Sequence, residues 1–387
     1  MQNLGIYIQV PFCQTKCTYC NFHTGVVSPG RFAPYADAVV REIRERHAFW
    51  ESAGIYCDDS QTTVDTIYFG GGTPSLLEPE LLADMLGAVR GNFAREFHEV
   101  TLEADPETIT TENAHAWVGA GINRVSFGVQ SFVDEELTTA GRMHRSADVY
   151  RALPLLRDAG ISNVSFDLIA GLPKQTRDSW EYSLARLIAL SPEHVSIYMM
   201  EIDESSRLGL EVIQGGTRYS ARELPSEESM AEFYEFAQGQ LSAAGYQQYE
   251  ISNWAKPGLE SQHNLKYWRR EPYLGFGAAA HSFCGGQRWA NLHDAASYVS
   301  AISAGKSPQH SVEAVTQEAA LEEEFFLGLR QLSGINVARI EKQYSVDFQE
   351  KLERLSRAGM LQQHGELVSL NPEKLSMSNE VIVELLR

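Results

Sequence analysis

Apolar residues along the chain follow two rhythms. Short runs rich in Val, Ile, Phe and Tyr recur at Ile6–Val10, Val64–Phe69, Glu99–Glu103, Arg124–Val129, Asn163–Ile169 and His194–Met200. Several lack clean alternation, which predicts strands covered on both faces. Between them, Tyr35–Glu51, Pro79–Phe93, Asp148–Ala159 and Ser179–Leu190 carry apolar residues at helical spacing. Strand–helix units in this succession, joined by right-handed crossovers, predict an α/β fold around a parallel sheet. That sheet is either open and doubly wound or part of an eightfold barrel.

Polar and glycine-bearing residues follow the strands: the cysteines near residue 13, Gly70-Gly71-Gly72-Thr73-Pro74, Ala104-Asp105-Pro106, Gln130-Ser131 and Ala170-Gly171-Leu172-Pro173. A partial barrel gathers such loops on one rim, where active sites form. After about residue 215 the pattern changes. Ser226–Ala244 predicts an amphipathic helix, Tyr246–Ile251 a strand, and Asn253–Pro272 an aromatic loop. From Gln317 onward, Glu318–Leu329 and Phe348–Ala358 predict helices and Gly359 to Leu370 a short hairpin, a small winged-helix-like module. The expected division is 1–215 core barrel, 216–316 extension and 317–387 C-terminal module.

The 387 residues carry a formal charge of −19, which argues against nucleic acid, because phosphate binding needs a basic face. The basic run Lys266-Tyr267-Trp268-Arg269-Arg270 reads most simply as solvated surface. No apolar run approaches the roughly 20 residues of a membrane span. The N-terminus lacks the basic flank and cleavage site of a signal peptide, so a cytoplasmic location is expected. Transient association with a membrane stays open, as does monomer against homodimer.

Cys13, Cys17 and Cys20 are three of the five cysteines. Thiolates suit iron–sulfur clusters, zinc and copper(I). By spacing alone, three cysteines at C-x3-C-x2-C either hold three corners of a 4Fe–4S cube, with the fourth iron open, or join His23 in a Cys3His zinc site, or are structural thiols. Cys57 and Cys284 stand alone and read as free thiols behaving as small hydrophobes. Tyr19, between the last two clustered cysteines, is placed to pack on a ligand beside them.

The motifs YIQVPFC, FGGGTPS, LEADP, VSFGVQSF and SFDLIAGLP, with the cysteine spacing and the C-terminal module, resemble the radical S-adenosylmethionine (SAM) superfamily. Within it they resemble the oxygen-independent coproporphyrinogen III oxidase-like family. The resemblance implies a partial (β/α)6 TIM-like barrel, a 4Fe–4S cluster on Cys13, Cys17 and Cys20, and SAM on the open iron. In that family, reduction of the cluster cleaves the sulfonium to a 5′-deoxyadenosyl radical. Carried over by position, Tyr7 and Tyr19 would flank SAM. Gly72 and Thr73 would meet its methionine end, and Glu103, Gln130, Arg142 and Asp167 would hold the carboxylate, ribose and sulfonium region.

The family contains oxidases, which decarboxylate two propionate side chains, and heme chaperones, which bind heme and pass it to an acceptor protein. The oxidase motif has one further cysteine where this chain has Phe22, and a longer arm before the first strand. His263-Asn264-Leu265-Lys266-Tyr267-Trp268 matches the HNxxYW motif of the chaperones. The resemblance therefore implies a heme carrier without oxidase activity, serving an acceptor such as a respiratory hemoprotein. His263 is the expected heme ligand, with Tyr267 and Trp268 as flat apolar neighbours; the same residues could instead pin an irregular loop by hydrogen bonds. His281 is a second candidate, and His23 a third. The stretch Gly275–His281 is expected to line the bowl near the adenosine.

Overall fold

The computed structural model describes residues 2–386. β1 (Gln2–Val10), β2 (Thr62–Gly71), β3 (Arg95–Ala104), β4 (Arg124–Gln130), β5 (Asn163–Ala170) and β6 (His194–Met199) pair in sequence order, each parallel to the next. The intervening helices are α1 (Phe32–Ala53), α2 (Pro79–Asn92), α3 (Thr111–Ala120), α4 (Asp134–Thr139), α5 (Ser146–Ala159) and α6 (Arg177–Leu190). α1 packs on α2, α2 on α3 and α3 on α5, forming the outer layer. Thr176 caps α6 by accepting the Ser179 N–H, and Gly54, Gly121 and Gly160 end α1, α3 and α5 in the left-handed region.

Both edges of the parallel core are extended. Past β6 come α7 (Arg207–Ile213), α8 (Glu227–Ala243) and the antiparallel strands β7 (Gln247–Glu250) and β8 (Asn253–Ala255), with β8 beside β6. After α9 (Gln262–Trp268), β9 (Tyr273–Phe276) joins the other edge parallel to β1. β10 (His281–Cys284), β11 (Gln287–Asn291) and, after α10 (Ala295–Ser303), β12 (Gln309–Ala314) follow antiparallel. The twelve strands run β12-β11-β10-β9-β1-β2-β3-β4-β5-β6-β8-β7, and among the described residues the two ends of this sheet do not pair.

The remainder is α11 (Gln317–Gly328), β13 (Ile335–Asn336), α12 (Val337–Tyr344), α13 (Gln349–Arg357), β14 (Leu361–His364), β15 (Leu367–Leu370) and α14 (Ser378–Leu386). The hairpin of β14 and β15 is widened to three strands by β13.

Three expectations change. The segment Asn253–Pro272 is not a loop: it contains β8 and α9, and Glu99 on β3 accepts the backbone N–H groups of Gln262 and His263 at the start of that helix. The basic run is a solvated face only at Arg269. Lys266 is buried between Asp65 and Glu271 at 2.9 and 3.1 Å, and Arg270 pairs with Glu323 and Glu324. Cys57 and Cys284 are not free but disulfide-bonded. The loop after α1 meets the β10–β11 hairpin, so residues 227 apart in sequence have Cα atoms 5.6 Å apart, a proximity no local pattern reports.

Candidate functional site

Residues on five of the six parallel strands, β2 to β6, turn toward one cavity of about 410 Å³. Tyr68 on β2, Glu103 on β3, Arg124, Ser126, Gly128 and Gln130 on β4, Asp167 on β5, and His194, Ser196 and Tyr198 on β6 all line it. Their neighbours, such as Phe69, Leu102, Phe127, Phe166 and Ile197, are buried in the apolar core. The strands are thus covered on both faces, as expected, but the inner covering is polar. The cavity falls in the size range of small-molecule sites, roughly 300–1,000 Å³.

The cysteine loop forms one wall, with Cys13, Cys17, Cys20 and Tyr19 lining the cavity. The loop is stitched at its base by Cys13 N–H to the Gly25 carbonyl at 3.1 Å and by Gly25 N–H to that of Pro11 at 2.9 Å. Its middle is held by Thr18, which donates to the Ala140 carbonyl and accepts from the Leu208 N–H. The glycine loop packs directly on it: Gly72 and Thr73 donate to the Val10 and Phe12 carbonyls at 2.8 and 2.7 Å. A Cβ at Gly72 would lie 2.4 Å from the Phe12 oxygen, so glycine is required here for the two loops to touch.

Both charge signs face the cavity. Arg142 pairs with Asp105, donates to the Gly128 carbonyl at 3.0 Å and reaches Cys17 Sγ at 3.5 Å. Thr73 Oγ1 donates to the other Asp105 oxygen at 3.0 Å. Glu103 accepts from the Tyr68 hydroxyl at 2.8 Å and from Gly71 N–H at 3.0 Å. Burial, then the charges of Asp167 and Asp105, push its carboxyl up to about 7. Asp167 accepts from Ser126 and Ser165, and burial raises it as well. Gln130 ends β4 at φ 62, a left-handed conformation uncommon outside glycine and concentrated at functional sites.

Tyr19, Gly72, Thr73, Glu103, Gln130, Arg142 and Asp167 are therefore brought together with the three cysteines. Tyr7 is not among the lining residues: it stacks on Tyr68, with centroids 6.0 Å apart, and donates its hydroxyl to Gln9. The sequence reading places Asp105 on the rim without assigning it a role, and does not single out Tyr68, Arg124, Ser126 or Asn264 as lining residues. Arg124 and Ser126 share the parity of Gln130, the one signal that would have found them.

The expected heme residues are elsewhere. His263 is 1% exposed, with Nδ1 2.9 Å from Thr66 Oγ1 and Nε2 2.9 Å from the Tyr267 hydroxyl. Burial, then Lys266 and Arg124, push its imidazole down to about 3. Both ring nitrogens are hydrogen-bonded, and these contacts tie α9 to β2 inside the barrel. Tyr267 packs edge-on against Tyr273, and Trp268 lies under the Arg330 guanidinium. His281 is exposed at the start of β10. The Gly275–His281 stretch does not line the cavity: Gly277 and Ala278 donate to Glu42 and Tyr35 on α1.

The donor set fits an iron–sulfur cluster better than zinc. His23 Nε2 lies 3.2 Å from His293 Nδ1, so it does not complete a set with the thiols. Among the described residues, no three His, Cys, Asp or Glu side chains converge as a single metal ion would require. A cube held at separate corners needs no such convergence. Arg124 lines the cavity, and its Nε is buried with no hydrogen-bond partner among the described residues.

Comparison with known proteins agrees. Residues 7–187 match the radical SAM superfamily and residues 315–373 the HemN C-terminal domain. The chain is 35% identical over 381 residues to the heme chaperone HemW of Bacillus subtilis, covering 97% of each. It is 35% identical over 279 residues to the heme chaperone HemW of Escherichia coli, covering 72% of this chain and 69% of that one. The fold superposes on coproporphyrinogen III oxidase (HemN) from Escherichia coli with a TM-score of 0.82 at 21% identity, covering 99% of this chain and 90% of that one. The thiol-walled cavity at the mouth of a partial barrel and the full-length likeness agree: the chain belongs to the radical SAM superfamily, in the family of the HemW heme chaperones.

Proposed function

We propose that the protein binds heme and transfers it to an acceptor hemoprotein, respiratory enzymes being the favoured class. The full-length likeness to heme chaperones supports this reading. Cys13, Cys17 and Cys20 would ligate a 4Fe–4S cluster through three of its irons, and SAM would fill the cavity beside it. When bound, the cluster supplies an electron and an open iron for SAM. The chain's part is to hold and enclose. Arg142 places positive charge beside Cys17, where it would hold the carboxylate of SAM, while Glu103 and Asp167 would hold its cationic groups and ribose hydroxyls. The apolar cluster of Ala140, Ile169 and Leu172, against which Tyr19 and Met200 pack, shields that wall.

The observation that separates carrier from oxidase is Phe22. It stands 65% exposed on the cavity rim, where the oxidase motif has a further cysteine. Among the described residues no helix is long and apolar enough to cross a membrane. The reading is of a cytoplasmic carrier acting as a monomer or homodimer. The proposed division of labour is a core barrel over 1–215, edge extensions over 216–316 and a C-terminal module over 317–387.

Iron, sulfide and zinc analysis of anaerobically purified protein tests the cluster. Heme titration beside anaerobic turnover of coproporphyrinogen III with SAM and a reductant tests the function. Heme bound without turnover is expected; protoporphyrinogen formation without heme binding would replace the carrier by the oxidase.

A further inference from the structure

Four histidines from separate segments meet on the rim that carries the cysteine loop. β9 is parallel to β1, so Phe276 and Val10 mark the same end of the sheet. At that end β10 begins with His281, β11 finishes two residues before His293, and His310 is the second residue of β12. His23 reaches this group from the cysteine loop: its ring centroid is 4.5 Å from that of His293, which is 4.9 Å from that of His310. All four are exposed. The cysteine loop also exposes Phe22 at 65% and, four and five residues on, Val26 at 59% and Val27 at 37%.

Imidazoles gathered this closely oppose one another's protonation. Burial and the neighbouring histidines hold His281 and His293 below the usual histidine range, which favours the neutral ring with a free lone pair. No three of these side chains are disposed around one ion among the described residues. A planar macrocycle asks for something different: one axial nitrogen, apolar surface for its face, and hydrogen-bond donors for its carboxylates. His23 and His293 offer the nitrogen, Phe22 and the valines the surface, and the remaining imidazoles the donors. An exposed ligand also leaves the iron within reach of an acceptor, which the buried His263 does not.

We infer that heme docks on this rim, ligated through the His23–His293 pair and resting against Phe22. The inference rests on the heme-carrier reading above and names the site that reading lacks.

The test is a hemin titration of the full-length, anaerobically reconstituted protein, followed by the Soret band. It compares wild type, the double variant His23→Ala/His293→Ala, His263→Ala, and His364→Ala as a surface control on the C-terminal hairpin. The double variant is expected to shift the Soret maximum and weaken binding about tenfold or more, with iron and sulfide content unchanged. His364→Ala is expected to match wild type. A double variant that binds hemin with wild-type affinity and spectrum overturns the inference. So does a folded His263→Ala protein, with full iron and sulfide, that has lost the Soret shift. Wild-type protein that binds no hemin removes the carrier reading itself, an outcome distinct from failure of the site alone.

Discussion

Thr66 Oγ1 and His263 Nδ1 meet 2.9 Å apart inside the barrel, joining β2 to a short helix 197 residues later in the chain. That helix comes close because Gly5 on β1 makes room: a Cβ there would lie 2.9 Å from Lys266 Cδ and 3.2 Å from His263 Cε1. His263→Ala would leave Thr66 and Tyr267 without their partner and open a void. We expect a loss of about 2–4 kcal/mol of stability, measured by urea denaturation under anaerobic conditions. A variant as stable as wild type would remove the anchoring role.

Glu103 carries a prediction for SAM. Its carboxyl titrates near 7, and cationic ligands favour the ionised form, so SAM affinity should rise between pH 6 and pH 8 as Glu103 loses its proton. Glu103→Gln should bind more weakly at pH 8, by about tenfold, and lose most of that pH dependence. Calorimetry on cluster-loaded protein measures both.

Much of this was legible in the residues, and what was not has physical causes. The six parallel strands showed themselves because β-branched and aromatic runs suit a sheet covered on both sides. Apart from Asp167, which the family resemblance supplied, the polar lining showed itself only at strand ends, since Arg124 and Ser126 lie within a segment read as core. The helix Gln262–Trp268 was hidden because it follows Pro257 and Gly258, is seven residues long, and has its first N–H groups satisfied by Glu99 from a distant strand. The histidine group was invisible for a related reason: its members belong to four segments that only the strand order brings together.

Glu42 gives a stability prediction with a definite sign. It accepts from Gly277, Asn291, Tyr298 and Gln309, and burial still raises it to about 7. The native state therefore holds this proton more tightly than the unfolded chain does. Its stabilising contribution is full below the ordinary carboxylate range, near 4.5, and is lost as pH rises to about 7. Comparing wild type with Glu42→Gln across this range should show the wild-type denaturation midpoint falling relative to the variant. Parallel profiles would refute it.

Cys57 and Cys284 close a loop across most of the chain. Denatured, cluster-free protein that has not met a reductant should titrate three thiols, Cys13, Cys17 and Cys20, and five after reduction. Cys284→Ser should cost about 2–4 kcal/mol relative to the oxidised protein. Five thiols without reduction would contradict the bridge.

Because the odd and even positions of each parallel strand face different worlds, the barrel wall and its contents are written in separate sets of residues. Exchanging Ser126, Gln130 or Asp167 changes what the chamber can hold while Phe127, Val129 and Phe166 keep the scaffold standing. A single inserted residue in one of these strands does the reverse: it turns greasy side chains into the chamber and charges into the helical jacket, ending function and folding together.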